Sequence, residues 1–116
     1  MDPSRLHTAY TIQTVQGKPA WVPMAVYDDG AKTVIKFRES LKFTQAPGVF
    51  ATDSEGNAAL VPFTPYEVPT EPEKGTYYIL VGLYPQLDLK GSDGQVVRLT
   101  RQTGQPKAFQ EVSDAR

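Results

Sequence analysis

Cysteine is absent from the 116 residues, and there is a single histidine, His7. Without thiols there is no disulfide and no thiolate nucleophile, and a periplasmic domain can lack cysteine as readily as a cytoplasmic one. Zinc takes three or four His, Cys or carboxylate ligands, far beyond what one imidazole supplies. A hydroxyl nucleophile needs a positioned base, and His7 lies in an N-terminal stretch where it reads as a solvent-exposed side chain. No catalytic residue, cofactor site or metal site is therefore expected. No apolar run reaches the roughly 18–20 residues that span a bilayer as a helix. The start, Met1-Asp2-Pro3-Ser4-Arg5, lacks the apolar stretch of a secretory signal. It fits either a cytoplasmic protein or a fragment excised from a longer exported one. Excess charge of one sign is also missing, with 12 Lys and Arg against 13 Asp and Glu for a net charge of −1. Phosphate-binding chains show a basic excess, so nucleic acid is not an expected partner.

What is present is the composition and punctuation of a β domain. A hydrophobic content of 40% with 22% charged residues is that of a folded globular chain, and its length suits one domain with a core of its own. The sharpest local feature is Trp21–Arg38. Two runs rich in β-branched and aromatic residues flank Asp28-Asp29-Gly30, and Asp-Gly supplies the positive φ that a tight turn needs. Trp21–Tyr27 and Lys32–Arg38 thus read as a hairpin, with Thr33, Ile35 and Phe37 on one face. Pro23 cannot donate to a ladder, which puts its strand at an edge or gives it an irregularity.

Turn residues divide the rest in the same way. Tyr10–Val15 is a strand with no clean apolar face. Val49–Thr52 and Ala58–Phe63 flank Asp53-Ser54-Glu55-Gly56-Asn57 as a second hairpin. Tyr66–Val68 is a short strand between prolines, and Thr76–Leu83 is the most apolar strand. Leu87–Lys90 and Gln95–Thr100 form a third hairpin across Gly91-Ser92-Asp93-Gly94. Short strands at this spacing predict an all-β fold, an antiparallel β-sandwich of roughly seven to nine strands. Residues 1–8 read as a disordered or linker segment, 9–101 as the sandwich, and 102–116 as a flexible tail.

Several groupings look like chemistry and read better as structure. Asp53-Ser54-Glu55-Gly56 resembles the start of a calcium loop but lacks the later ligands, leaving a hairpin turn. Glu67, Glu71 and Glu73, interleaved with prolines, read as a solvated loop. Tyr77 and Tyr78 are adjacent in a strand and so point to opposite faces. At least one of them lies outside the core, which hints at a binding surface. The candidate partner-binding residues are Tyr10, Ile12, Thr14, Trp21, Tyr77 and Tyr78. The alternative reading is a carbohydrate- or peptide-binding module, and an exposed coplanar platform of Trp21 with Tyr77 or Tyr84 would favour sugar binding. A long uncovered edge strand would favour an assembly module.

Pro23-Met24-Ala25-Val26-Tyr27-Asp28-Asp29-Gly30, followed by Val34-Ile35-Lys36-Phe37, resembles the hairpin of the TrbG/CagX-like family. These are outer-membrane core components of conjugative type IV secretion systems. Pro23, Ala25, Asp28, Asp29, Gly30 and Phe37 are the motif positions. Pro47-Gly48-Val49-Phe50 with Asp53–Gly56, Gly75–Val81 and Gln95–Leu99 resemble further family strands, so the likeness covers roughly Tyr10 to Arg101. Pro62-Phe63-Thr64-Pro65 and Val81-Gly82-Leu83 depart from its pattern. The resemblance implies the C-terminal β-sandwich of such a protein, a non-enzymatic, periplasmic and outer-membrane-associated structural module. It also implies the partners: a short outer-membrane lipoprotein, a TrbI-like scaffold subunit and copies of itself in a ring.

Overall fold

The computed structural model describes residues 6–38, 41, 46–53 and 55–103. Among these, nine strands form two antiparallel sheets: β1 (Tyr10–Gln16), β2 (Pro23–Asp28), β3 (Lys32–Phe37), β4 (Gly48–Thr52), β5 (Ala58–Leu60), β6 (Thr64–Val68), β7 (Gly75–Val81), β8 (Gln86–Lys90) and β9 (Val96–Arg101). One sheet has the order β1-β9-β8-β4-β5 and the other β2-β3-β7-β6. The sheets stack as a sandwich, and the chain changes sheet after β1, β3, β5 and β7. The predicted tail beyond Thr103 and the first five residues lie outside the described residues.

Period-two alternation builds the core. Ile35, Phe37, Tyr78 and Leu80 point inward from one sheet, and Val49, Leu87, Leu89, Val97 and Leu99 from the other, all essentially inaccessible to water. The Tyr78 ring meets Phe37 edge-on at 4.9 Å and stacks on Phe63 at 3.8 Å. Its hydroxyl donates to the Pro47 carbonyl at 2.9 Å. Trp21 closes one end of the core, donating from its indole nitrogen to Gln95 Oε1 at 3.2 Å.

The Asp28-Asp29-Gly30 turn takes the expected form. The Asp29 carboxylate accepts the Ala31 and Lys32 amides at 2.9 and 2.7 Å, and Gly30 has φ of 91°. Pro23 shows both predicted consequences: β2 is an edge strand, and its register shifts between Pro23 and Ala25. Some strand boundaries differ from those expected. β7 stops at Val81 because Gly82 turns the chain at φ 107°, two residues before the expected end. β6 begins at Thr64 and includes Pro65, which an edge strand tolerates because only one side of it is paired. The Asp53 carboxylate accepts the Glu55 and Asn57 amides, both at 2.9 Å, in a turn that uses its oxygen locally.

Two sheet edges meet at Asp28. His7 and Asp28 exchange backbone hydrogen bonds of 2.8 and 3.0 Å, which docks the chain ahead of β1 onto β2. His7 is thus half-buried rather than solvent-exposed, with its Nε2 enclosed and its ring edge-on to Tyr10. The Asp28 side chain is 1% exposed. It accepts the Tyr10 hydroxyl at 2.6 Å, the Arg101 Nε at 2.8 Å and the Gly30 amide at 3.0 Å. Burial by itself pushes this carboxyl up. The donors from Arg101, Tyr10 and Gly30 outweigh that push and hold it below the usual carboxylate range.

The folded Asp28 carboxyl therefore binds its proton less tightly than in the unfolded chain, where its pKa is about 3.9. Its contribution to stability is complete above that value and disappears as pH falls through the folded one. Thermal melts from pH 7 downward should show a steep loss of stability below about pH 4. Asp28→Asn should cost on the order of 3 kcal/mol at pH 7 and flatten that dependence. An unchanged acid slope in the variant would assign the dependence to other carboxylates.

Two glycines separate strain from crowding. At Gly30 an added Cβ meets nothing within 4 Å, so Gly30→Val should cost only the left-handed backbone, about 1–2 kcal/mol. At Gly75, φ is 142° and an added Cβ runs into the Phe37 carbonyl oxygen. Gly75→Ala should therefore cost about 3 kcal/mol or more in urea denaturation, despite its smaller side chain. Equal midpoints for the two variants would refute the close approach.

Candidate partner-binding edge

The sandwich has four edge strands: β1 and β5 in one sheet, β2 and β6 in the other. Three are blunted. β5 has three residues, β6 contains Pro65, and β2 contains Pro23 and a register shift and is bridged by His7. Short strands, prolines and irregularities are the ordinary means of closing an edge to further pairing. β1 has none of these over most of its length: seven residues, no proline, and all but Tyr10 exposed.

The ladder phase shows which of its backbone groups are open. The Arg101 amide donates to the Pro85 carbonyl at 2.8 Å, so at Arg101 the β9 backbone faces β8. The neighbouring Gln102 amide instead donates to the Ala9 carbonyl, also at 2.8 Å. Paired residues in an antiparallel ladder alternate between exchanging hydrogen bonds and turning them outward. Tyr10, Ile12 and Thr14 lie opposite Arg101, Leu99 and Val97, so all three turn their N–H and C=O groups away from β9. The Tyr10 amide closes locally on the Thr8 carbonyl at 2.9 Å. Ile12 and Thr14 are left as the open rungs. The register shift after Thr14 ends the regular ladder.

On the inner face of this edge Ile12 is the one aliphatic side chain, between Tyr10 and Thr14. Ile12 points to the same side as the core residues Leu99 and Val97 but is 36% exposed. Val22 and Met24 at the β2 end of the sandwich are likewise exposed. Tyr10 anchors the start of the strand through Asp28, and burial together with that carboxylate pushes its phenol up to about 12.

The six candidate residues separate into three places. Tyr10, Ile12 and Thr14 form the β1 edge. Trp21 and Tyr78 are core residues, 7% and 1% exposed, and offer a partner no surface. Adjacent aromatics in one strand did go to opposite faces, but Tyr78 took the inner one. Tyr77 lies on the outer face of the four-stranded sheet, with its hydroxyl on the Glu73 carbonyl at 2.8 Å. A platform of Trp21 with Tyr77 or Tyr84 does not form, since the indole is enclosed. Of the motif positions, Pro23, Asp28 and Phe37 are buried, Asp29 and Gly30 make the turn, and Ala25 faces outward beside Lys36. Arg101 and His7 were not anticipated as parts of this edge. The separation of 73 positions between Asp28 and Arg101 leaves no local pattern that pairs them.

The sequence has recognisable relatives. Over 55 residues, 47% of its length, the chain is 36% identical to the "Probable conjugal transfer protein TrbG" of Sinorhizobium fredii. The matched stretch spans 19% of that relative's length. The profile of the CagX family, described as a conjugal transfer protein, matches residues 1–102, and this chain belongs to that family.

Proposed function

We propose that this chain is a structural domain of the outer-membrane core complex of a conjugative type IV secretion system. It works in the periplasm as a non-enzymatic module associated with the outer membrane. Its partners are a short outer-membrane lipoprotein, a TrbI-like scaffold subunit and further copies of itself in a ring. The observation that carries the reading is the β1 edge: one long, proline-free strand with open rungs at Ile12 and Thr14, in a domain whose other edges are blunted. Membership of a conjugal transfer family supplies the context.

The mechanism is strand addition. An extended lipoprotein segment pairs its backbone with Ile12 and Thr14, and the ladder hydrogen bonds provide affinity. Its alternate side chains cover Ile12 and the neighbouring apolar surface, which provides register and selectivity. No bond is made or broken. Tyr10, held by Asp28, fixes the edge before the partner arrives, so little ordering entropy remains to be lost on binding.

Backbone pairing tolerates side-chain changes and is disrupted by proline, which removes a donor and restricts φ. Ile12→Pro should weaken binding of a peptide from the lipoprotein of the same transfer system by about tenfold or more, and Ile12→Ala by less than about threefold. Titration calorimetry on variants shown by circular dichroism to be folded measures both. Equal losses, or amide shifts confined to the surroundings of Trp21 and Tyr77, would rule this edge out.

A further inference from the structure

Antiparallel sheets with one solvated face normally turn polar residues outward. Both outer faces of this sandwich carry some apolar residues, but at the centre one is charged and the other apolar. At its centre the five-stranded sheet turns out Gln13, Asp88 and Arg98, with Arg98 donating to Asp88 at 2.9 Å, while Phe50 and the exposed Leu60 lie toward its β5 margin, where Lys90 Nζ is 4.9 Å from the centre of the Phe50 ring. The four-stranded sheet turns out Tyr27, Val34, Lys36, Tyr66, Tyr77 and Ile79. Val34 is 5% exposed although no strand lies over it, because the surrounding side chains close around it. Tyr66 at 58% and Val81 at 77% remain open at the margins. Lys36 Nζ lies 5.4 Å from the centre of the Tyr77 ring. Among the described residues, the strands place no carboxylate on this face, and its charges are Lys32 and Lys36 on β3, with the Asp29 carboxylate of the adjoining turn near Lys32.

We propose that the outer face of the β2-β3-β7-β6 sheet is a second docking surface, separate from the β1 edge, for an extended protein segment in which carboxylates flank an apolar residue. The spacing argues for this occupant. Lys32, Val34 and Lys36 point the same way, so the two lysines stand about 13 Å apart with an apolar centre between them. An extended segment along β3 also repeats every second residue, so acidic residues four apart match both lysines and the residue midway lies over the half-buried Tyr27 and Ile79 that close around Val34. Aromatic side chains with a cation at the rim make the kind of patch that proteins use for partners. A second copy of the same face fits poorly, because a twofold contact would set lysines against lysines. Two lysines among aliphatic side chains also provide little charge for following a phosphate backbone.

The test uses the full chain and two synthetic peptides of about nine residues, with Ile at the centre and either Asp or Lys two residues to each side. Amide shifts are followed by NMR in the parent, in the double variant Lys32→Glu/Lys36→Glu and in Ile12→Pro. The acidic peptide should bind roughly fivefold more tightly than the basic one, the scale of two exposed charge pairs, and lose that preference in high salt. The shifts should map to Tyr27, Val34, Lys36, Tyr77 and Ile79. The double variant should reverse the preference, while Ile12→Pro should leave it intact even where it abolishes lipoprotein binding, so the two sites fail independently. Equal affinity for both peptides, no shifts with the acidic one, or shifts confined to β1 would overturn the proposal. So would tighter binding to a single-stranded oligonucleotide, to phosphatidylglycerol vesicles or to a second copy of the chain.

Discussion

The buried Asp28 carboxylate ties the two sheets of this domain together at one corner. Every sandwich must hold two sheets in one relative position. Apolar packing sets their separation but constrains sliding weakly, since it is not directional. Asp28 supplies direction at one corner. It ends β2 in one sheet and receives Arg101 from the end of β9 and Tyr10 from the start of β1 in the other. A charge this deep is tolerated only when its oxygens are satisfied. A guanidinium, a phenol and a backbone amide meet that requirement together, so each of those groups is held where the carboxylate needs it.

The consequence for function is positional. β1 is an exposed strand with little apolar surface of its own, and such strands fray unless held at an end. Tyr10 and the His7 backbone bridge hold the start of β1, while its pairing with β9 sets the register. The strand is thereby presented as a rigid edge with open rungs. The other edges are shortened, interrupted by proline or bridged. A sandwich with a single usable edge can add a partner strand in one place without polymerising through the rest.

The four-stranded sheet adds a second asymmetry. Its central strand β7 is apolar on both faces, as strands covered on both sides are. Inside it contributes Tyr78 and Leu80 to the core, and outside it presents Tyr77 and Ile79 beside Lys36. A strand of this composition with only one face covered has more apolar surface than the isolated domain buries.

Local physics made much of this legible from the residues alone. Asp29 and Gly30 dictate their turn, because a short carboxylate and a missing Cβ are what that backbone requires. The alternation of Thr33, Ile35 and Phe37 identifies the inner face of β3, and Pro23 marks an edge. These effects act over a few residues, so the all-β fold and its hairpins could be read directly. The candidate surface was less accessible. Tyr10, Ile12 and Thr14 could be recognised as an unpatterned strand, but Trp21 and Tyr78 look like binding aromatics until the core closes over them, because hydrophobicity does not distinguish a core from an interface. The pairing of Asp28 with Arg101, the burial of His7 and the choice of β1 as the open edge depend on which strands become neighbours. That was decided only by the tertiary structure, since the order of strands in a sheet follows from long-range packing that no local pattern encodes.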